Sequence, residues 1–121
     1  MGNNNDAPNI QERSFAFAVR IIKLVRSMER DTASGVVARQ IARSGTSIGA
    51  NIEEAQGAHS KADFVHKMNI SRREARETHY WLRLIAETGL LPRRRLKELI
   101  QESEEIVKIL VAIVKTSRTK R

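Results

Sequence analysis

The side chains best placed to do chemistry in this chain are its arginines. Lys61, Arg72, Arg76 and Arg83 recur at intervals of eleven, four and seven residues, which puts all four on one face of a helix. Arg73 and Tyr80 lie beside that face. Arg72 and Arg76 are like charges one turn apart, and such pairs weaken a helix unless an anion compensates. A second run, Arg93-Arg94-Arg95, falls at a helix N-terminus, where the macrodipole disfavours cations. The arginine face has two readings. It is a solvated face partly neutralised by Asp63–Lys67 and Arg73–Glu77 pairs, or it is a contact for the phosphate backbone of a nucleic acid.

Groups suited to catalysis or metal binding are few. A di-metal site in a helical bundle takes Glu-x-x-His pairs facing inward from two helices plus two further glutamates. The only carboxylate–histidine pair at that spacing is Asp63–His66, and His66 projects away from the apolar stripe of its helix. His59 falls in a turn. His79 borders the core, with no carboxylate clearly placed to join it. There are no cysteines, which removes disulfides, thiolate metal sites and cysteine nucleophiles. No Ser-His-Asp arrangement, P-loop or dinucleotide fingerprint is present. The expectation is a protein without catalytic, metal or cofactor sites, and not an enzyme.

The elements that position the arginines follow from composition and periodicity. At 121 residues the chain is one domain. Two prolines, six glycines and no β-branched alternation point to an all-α fold, with an aliphatic core because only five aromatics are present. The net charge of +8 favours polyanionic partners and also solubility. The N-terminus lacks the basic and apolar regions of a secretory signal, and the apolar runs fall short of the ~20 residues of a membrane span. No membrane association is expected, and the location is expected to be cytoplasmic.

Residues 1–8 are polar and expected to be disordered. The spacing predicts an antiparallel up-down-up-down bundle over 9–117, with helices over 9–30, 34–56, 61–88 and 92–116, and a basic tail at 118–121. Asn9 with Glu12 resembles a capping box, Ser34 is the expected cap of the second helix, and Ser60 with Asp63 opens the third. Gly57 and Gly89 end the second and third helices. The inward faces are Val37, Ile41, Ser44, Ile48, Ile52 and Ala55; then Phe64, Met68, Ser71, Ala75, Thr78, Leu82, Ile85 and Ala86; then Leu96, Leu99, Ser103, Ile106, Val107, Leu110, Ile113 and Val114. The mid-helix pair Gly45 and Gly49 reads as a close approach of a neighbouring backbone, since a phosphate cradle needs glycines ahead of a helix.

The first helix has two apolar stripes about 120° apart. One is Phe15, Ala18, Val19, Ile22 and Val25. The other, Phe17, Ile21, Leu24 and Met28, is assigned to a contact with another subunit. Ile70, Trp81 and Leu84 on the third helix are assigned to a subunit interface for the same reason. Asn51, Glu54, Arg72 and Glu77 are expected to form a structural polar cluster where the second and third helices meet.

Three stretches carry a resemblance: Ser47-Ile48-Gly49-Ala50-Asn51-Ile52-Glu53-Glu54, Ser60-Lys61-Ala62-Asp63-Phe64, and Ala75-Arg76-Glu77-Thr78-His79-Tyr80-Trp81-Leu82. On these the chain resembles the bacterial four-helix-bundle family of the 23S rRNA-intervening-sequence proteins, whose members are encoded within or near insertions in ribosomal RNA genes. The resemblance runs from the first helix to the fourth. Typical members read S-I-P-x-N-I-A-E-G in the first stretch; here Gly49 replaces the proline, Glu53 the alanine and Ala55 the glycine. The missing proline implies a straighter helix. The resemblance implies a ring-like homopentamer, and a related accessory protein of diversity-generating retroelements is a similar basic pentamer that engages RNA and a reverse transcriptase.

The function expected is RNA binding by a non-enzymatic homo-oligomer, through Lys61, Arg72, Arg73, Arg76, Arg83, Arg93, Arg94 and Arg95. The alternative is an oligomeric scaffold that meets a protein partner and binds no nucleic acid.

Overall fold

Each helix begins where a side chain or a proline can close its first turn. In the computed structural model, which describes residues 9–119, α1 spans Ile10–Arg26, α2 Thr32–Gln56, α3 Lys61–Thr88 and α4 Arg93–Thr119. The segment 1–8 and the last two residues of the basic tail lie outside the described residues. Asn9 and Glu12 form a reciprocal capping box, and the Ser60 side chain accepts from the Asp63 N–H at 3.0 Å. Gly89 closes α3 in the left-handed region at φ 74°, which glycine adopts without strain.

The α1–α2 corner differs from expectation. Asp31, not Ser34, caps α2: its carboxylate accepts from the Ser34 N–H at 2.9 Å, so the helix starts at Thr32 and Ser34 is buried in its first turn. Helix α1 stops at Arg26, four residues early, and Met28 folds back into the core. Helix α4 runs on to Thr119 rather than 116. Each helix packs against its neighbours in the chain and α4 closes on α1, giving the four-helix bundle with no strand among the described residues.

The core follows the inward faces expected for α2, α3 and α4, with Phe64, Val107 and Ile113 only half-buried. In α1 the assignment is reversed. Phe17, Ile21, Leu24 and Met28 are the core of the chain's own bundle, whereas Phe15, Val19 and Ile22 face outward at 70%, 38% and 41% exposure. Both stripes have heptad-like spacing; Ser14, Phe17, Ile21, Leu24 and Met28 form the buried seam because Ile21 and Ser14 fit against the glycines of α2.

The glycine pair makes that seam possible. A Cβ on Gly45 would lie 2.9 Å from Ile21 Cγ2, and one on Gly49 3.2 Å from Ser14 Oγ. Across α2 and α3 the seam is fastened by buried hydroxyls: Ser71 Oγ donates to the Ile48 carbonyl and Thr78 Oγ1 to Ser44 Oγ, both at 2.8 Å.

Candidate nucleic-acid interface

Helix α3 sorts its charges by neighbour. Its acids Glu74 and Glu77 turn towards α2, where Arg43 donates to both. Trp81 Nε1 donates to Glu77 at 3.0 Å and sets its ring edge-on to Tyr80. The Trp81 hydrogen bond and then the Arg43 guanidinium hold the Glu77 carboxyl below its usual range, although partial burial opposes them.

This network replaces two sequence expectations. Glu77 pairs with Arg43 across the seam and not with Arg73. The cluster of Asn51, Glu54, Arg72 and Glu77 does not assemble either: Asn51 donates to the Ser47 carbonyl in its own helix, Glu54 is exposed, and Arg72 Nε donates to Asn69 at 3.0 Å. Arg43, which the sequence reading did not single out, is the cation at this junction.

Four of the bases of α3 face the other way, into the seam with α4. Three adjoining hollows of about 460, 460 and 620 Å³ run along it, sharing Arg76, Asn69 and Arg118 as common walls. Lys61, Arg72, Arg76 and Arg83 line them from α3, and Lys108, Lys115 and Arg118 from α4. At 1.5 Å per residue, Lys61 to Arg83 spans about 33 Å of helix axis. Glu104 is the only carboxylate in the lining, and among the described residues none of the seven cations makes an ion pair.

The structure therefore brings together four of the eight expected cations and leaves out the rest. Arg73 is exposed but lines no part of the groove. Arg93 is paired with Glu87 at 2.8 Å, and Arg95 donates to Ser27 at 2.9 Å on the α1 side. Arg94 is exposed outside the groove. Lys108, Lys115 and Arg118 were missed because α4 as a whole is not basic. The available signal was order along the helix: every acid of α4 lies at or before Glu105, and only bases follow.

Helix α4 is sorted as well. Arg13 grips Glu102 with two nitrogens at 2.8 and 3.0 Å, and Arg20 reaches Glu98 at 3.1 Å, so these acids face α1. Beside the groove, Glu104 Oε2 lies 3.3 Å from His79 Nε2, a carboxylate–histidine approach the sequence reading did not foresee. Asp63 is engaged by Lys67 at 2.8 Å and by His59 at 3.5 Å, not by His66. Among the described residues no group of three or more potential metal ligands gathers.

The subunit-contact residues expected on α3 are half-buried, and Trp81 and Leu84 pack against the chain's own core. The large apolar side chains left outside are Phe15, Val19 and Ile22 of α1, with Val36, Tyr80 and Val111 elsewhere. Among the described residues, no helix is long and apolar enough to cross a membrane.

Comparison with known proteins finds relatives among protein families and solved structures. A family model described as 23S rRNA-intervening sequence protein matches residues 8–112. A 1.70 Å crystal structure of a protein of unknown function from the S23 ribosomal protein family of Bacteroides thetaiotaomicron is 43% identical, with a TM-score of 0.82, covering 88% of this chain and 99% of that one. No curated protein matches.

Proposed function

Starting from the chain's membership of the 23S rRNA-intervening sequence protein family, we propose that it is a non-enzymatic cytoplasmic protein that binds RNA along the α3–α4 groove and does so as a homo-oligomer. The observation that carries the RNA reading is the groove itself, with one carboxylate and seven cations, none of them in an ion pair, over about 33 Å. Like charges held this close repel unless an anion sits between them. Polyphosphate supplies that anion at regular spacing and releases its own counterions on binding.

The oligomer reading is supported by α1. Phe15, Val19 and Ile22 form an outward apolar stripe at i, i+4 and i+7, and the bundle's own core is already filled by the opposite stripe. Self-association would cover it, and a ring would multiply weak RNA contacts into avidity. The stripe is also what favours the second reading, a scaffold whose exposed face receives a protein partner and whose charge serves solubility alone.

One experiment separates them: binding of nuclease-treated protein to structured RNA across a salt series, with the oligomer mass measured in the same buffers. Seven phosphate contacts predict a log–log salt slope between about −5 on single-stranded and about −6 on duplex segments, with the assembly unchanged and little sequence preference. An intact oligomer indifferent to RNA at low salt would leave the scaffold reading.

A further inference from the structure

One hollow of the groove differs from the other two. It is the 460 Å³ hollow walled by Arg76, His79 and Arg83 of α3 and by Glu104, Val107 and Lys108 of α4. Inside it, His79 Nε2 is buried and has no hydrogen-bond partner. Glu104 Oε2 approaches to 3.3 Å but is not aligned to accept. A buried ring nitrogen without a protein partner is costly unless another state of the site satisfies it.

Where the neutral ring carries its proton on Nδ1, that other state needs one more: Nε2 then becomes a donor, and Glu104, whose side chain is 54% exposed, can turn to accept from it. The pairing satisfies the nitrogen and neutralises the only carboxylate of the hollow, which leaves Arg76, Arg83 and Lys108 unopposed. The protein offers them no counter-charge. A tetrahedral dianion would, with guanidinium forks matching its oxygens.

We propose that the hollow of Arg76, His79, Arg83, Glu104 and Lys108 is a binding site for a phosphate group, and that phosphate entry is coupled to the uptake of one proton by His79, which then pairs with Glu104. The choice of groove rests on the RNA reading above; the coupling does not. The groups facing His79 are Arg76 and Arg83 from α3 and Glu104 and Lys108 from α4. Helix α2 lines no part of the hollow, and its Arg43 is engaged by Glu74 and Glu77. Arginine and lysine keep their charge across the neutral range. A pH-dependent affinity there therefore reports the His79–Glu104 pair.

The test is calorimetric titration of the full chain with inorganic phosphate, and with sulfate as a dianion whose own charge does not change near neutrality. Sulfate affinity should fall by up to about tenfold per pH unit as pH rises, the limit for one linked proton. His79→Gln should remove the pH dependence. Glu104→Gln should remove it too and bind at least as tightly as the parent. Arg76→Gln or Arg83→Gln should each weaken binding about tenfold. Circular dichroism establishes that each variant is folded, and Arg83, being exposed, can be replaced without opening the core. A pH-independent parent, or a His79→Gln protein that keeps the dependence, overturns the coupling; indifference to both arginine changes overturns the site.

Short RNAs with a 5′-phosphate or a 5′-hydroxyl identify the source: tighter binding of the first assigns a terminal monoester, and equal binding with phosphate competition assigns the backbone. RNA binding with no phosphate or sulfate binding overturns this inference alone. Phosphate binding without RNA binding overturns the RNA reading alone.

Discussion

The two long edges of α4 use the same kinds of side chain to opposite ends. On the edge that meets α1, Glu98 and Glu102 are matched by Arg20 and Arg13, and Arg95 is bonded to Ser27. On the edge that meets α3, Lys108, Lys115 and Arg118 look across at Arg72, Arg76 and Arg83, and no pair forms. The chain has fourteen acids, so complementary partners are available to it. Four of them serve the α1–α4 and α2–α3 seams, and Glu104 alone lines the α3–α4 groove. A seam left mismatched, beside two that are matched, is better explained by an external ligand than by composition.

The strongest challenge to this contrast is to remove the mismatch. Replacing Arg76, Arg83 and Lys108 together by glutamine should reduce RNA affinity about 100-fold or more at low salt and shift the salt slope by about 2. The melting temperature should hold or rise, because only repulsion is lost. A parallel loss of stability would make the basic edge structural.

The matched edge should respond the other way. Arg13→Ala breaks a bidentate, partly buried pair and uncovers the apolar surface under the arginine stem, at a cost of about 1 kcal/mol in denaturant unfolding. RNA affinity should not change. If it falls as far as in the triple variant, the two edges are not independent.

The α2–α3 strap refines the comparison through pH. Glu77 has its pKa lowered in the folded state, so its contribution is fully present above the ordinary glutamate range and is lost as pH falls through the depressed folded value. Acid should therefore loosen this seam, and Trp81, the only tryptophan, reports it by fluorescence. Glu77→Gln should flatten that acid transition. The smallest effect belongs to Arg20→Ala, whose partner Glu98 is 85% exposed: a few tenths of a kcal/mol, vanishing in high salt.

Most of the fold was legible in the sequence, and the failures have specific causes. Helices α2 to α4 each carry one apolar face, and periodicity identified it. Helix α1 carries two of similar strength, so hydrophobicity alone could not choose. The choice is made by shape: Gly45 and Gly49 open a slot that Ile21 and Ser14 fill, and no residue of the Phe15 stripe shares their heptad seam. Asp31 displaced Ser34 as a cap because its carboxylate takes the Ser34 N–H and so places the cap three residues earlier.

The site was half legible. The α3 cations were aligned by spacing within one helix, which the sequence shows directly. Their partners on α4 depend on how that helix is rotated, which is set by Leu96, Leu99, Ser103, Ile106 and Leu110 entering the core together. Counting charge over the whole of α4 hid its basic half. Glu77 was misassigned because an i,i+4 pair in one helix was weighed without Arg43 across the seam.

The buried hydroxyls have a thermal consequence. Ser14, Ser34, Ser44, Ser71, Thr78 and Ser103 occupy interior positions that aliphatic residues commonly take, each with a hydrogen-bond partner. Unfolding thus exposes polar as well as apolar surface, and the two change the heat capacity with opposite sign. The curve of stability against temperature should be flatter than for an all-aliphatic bundle of this length, with a heat-capacity increment below the usual ~12–15 cal/mol/K per residue. Scanning calorimetry would read it directly, and Ser71→Ala with Ser103→Ala should steepen it.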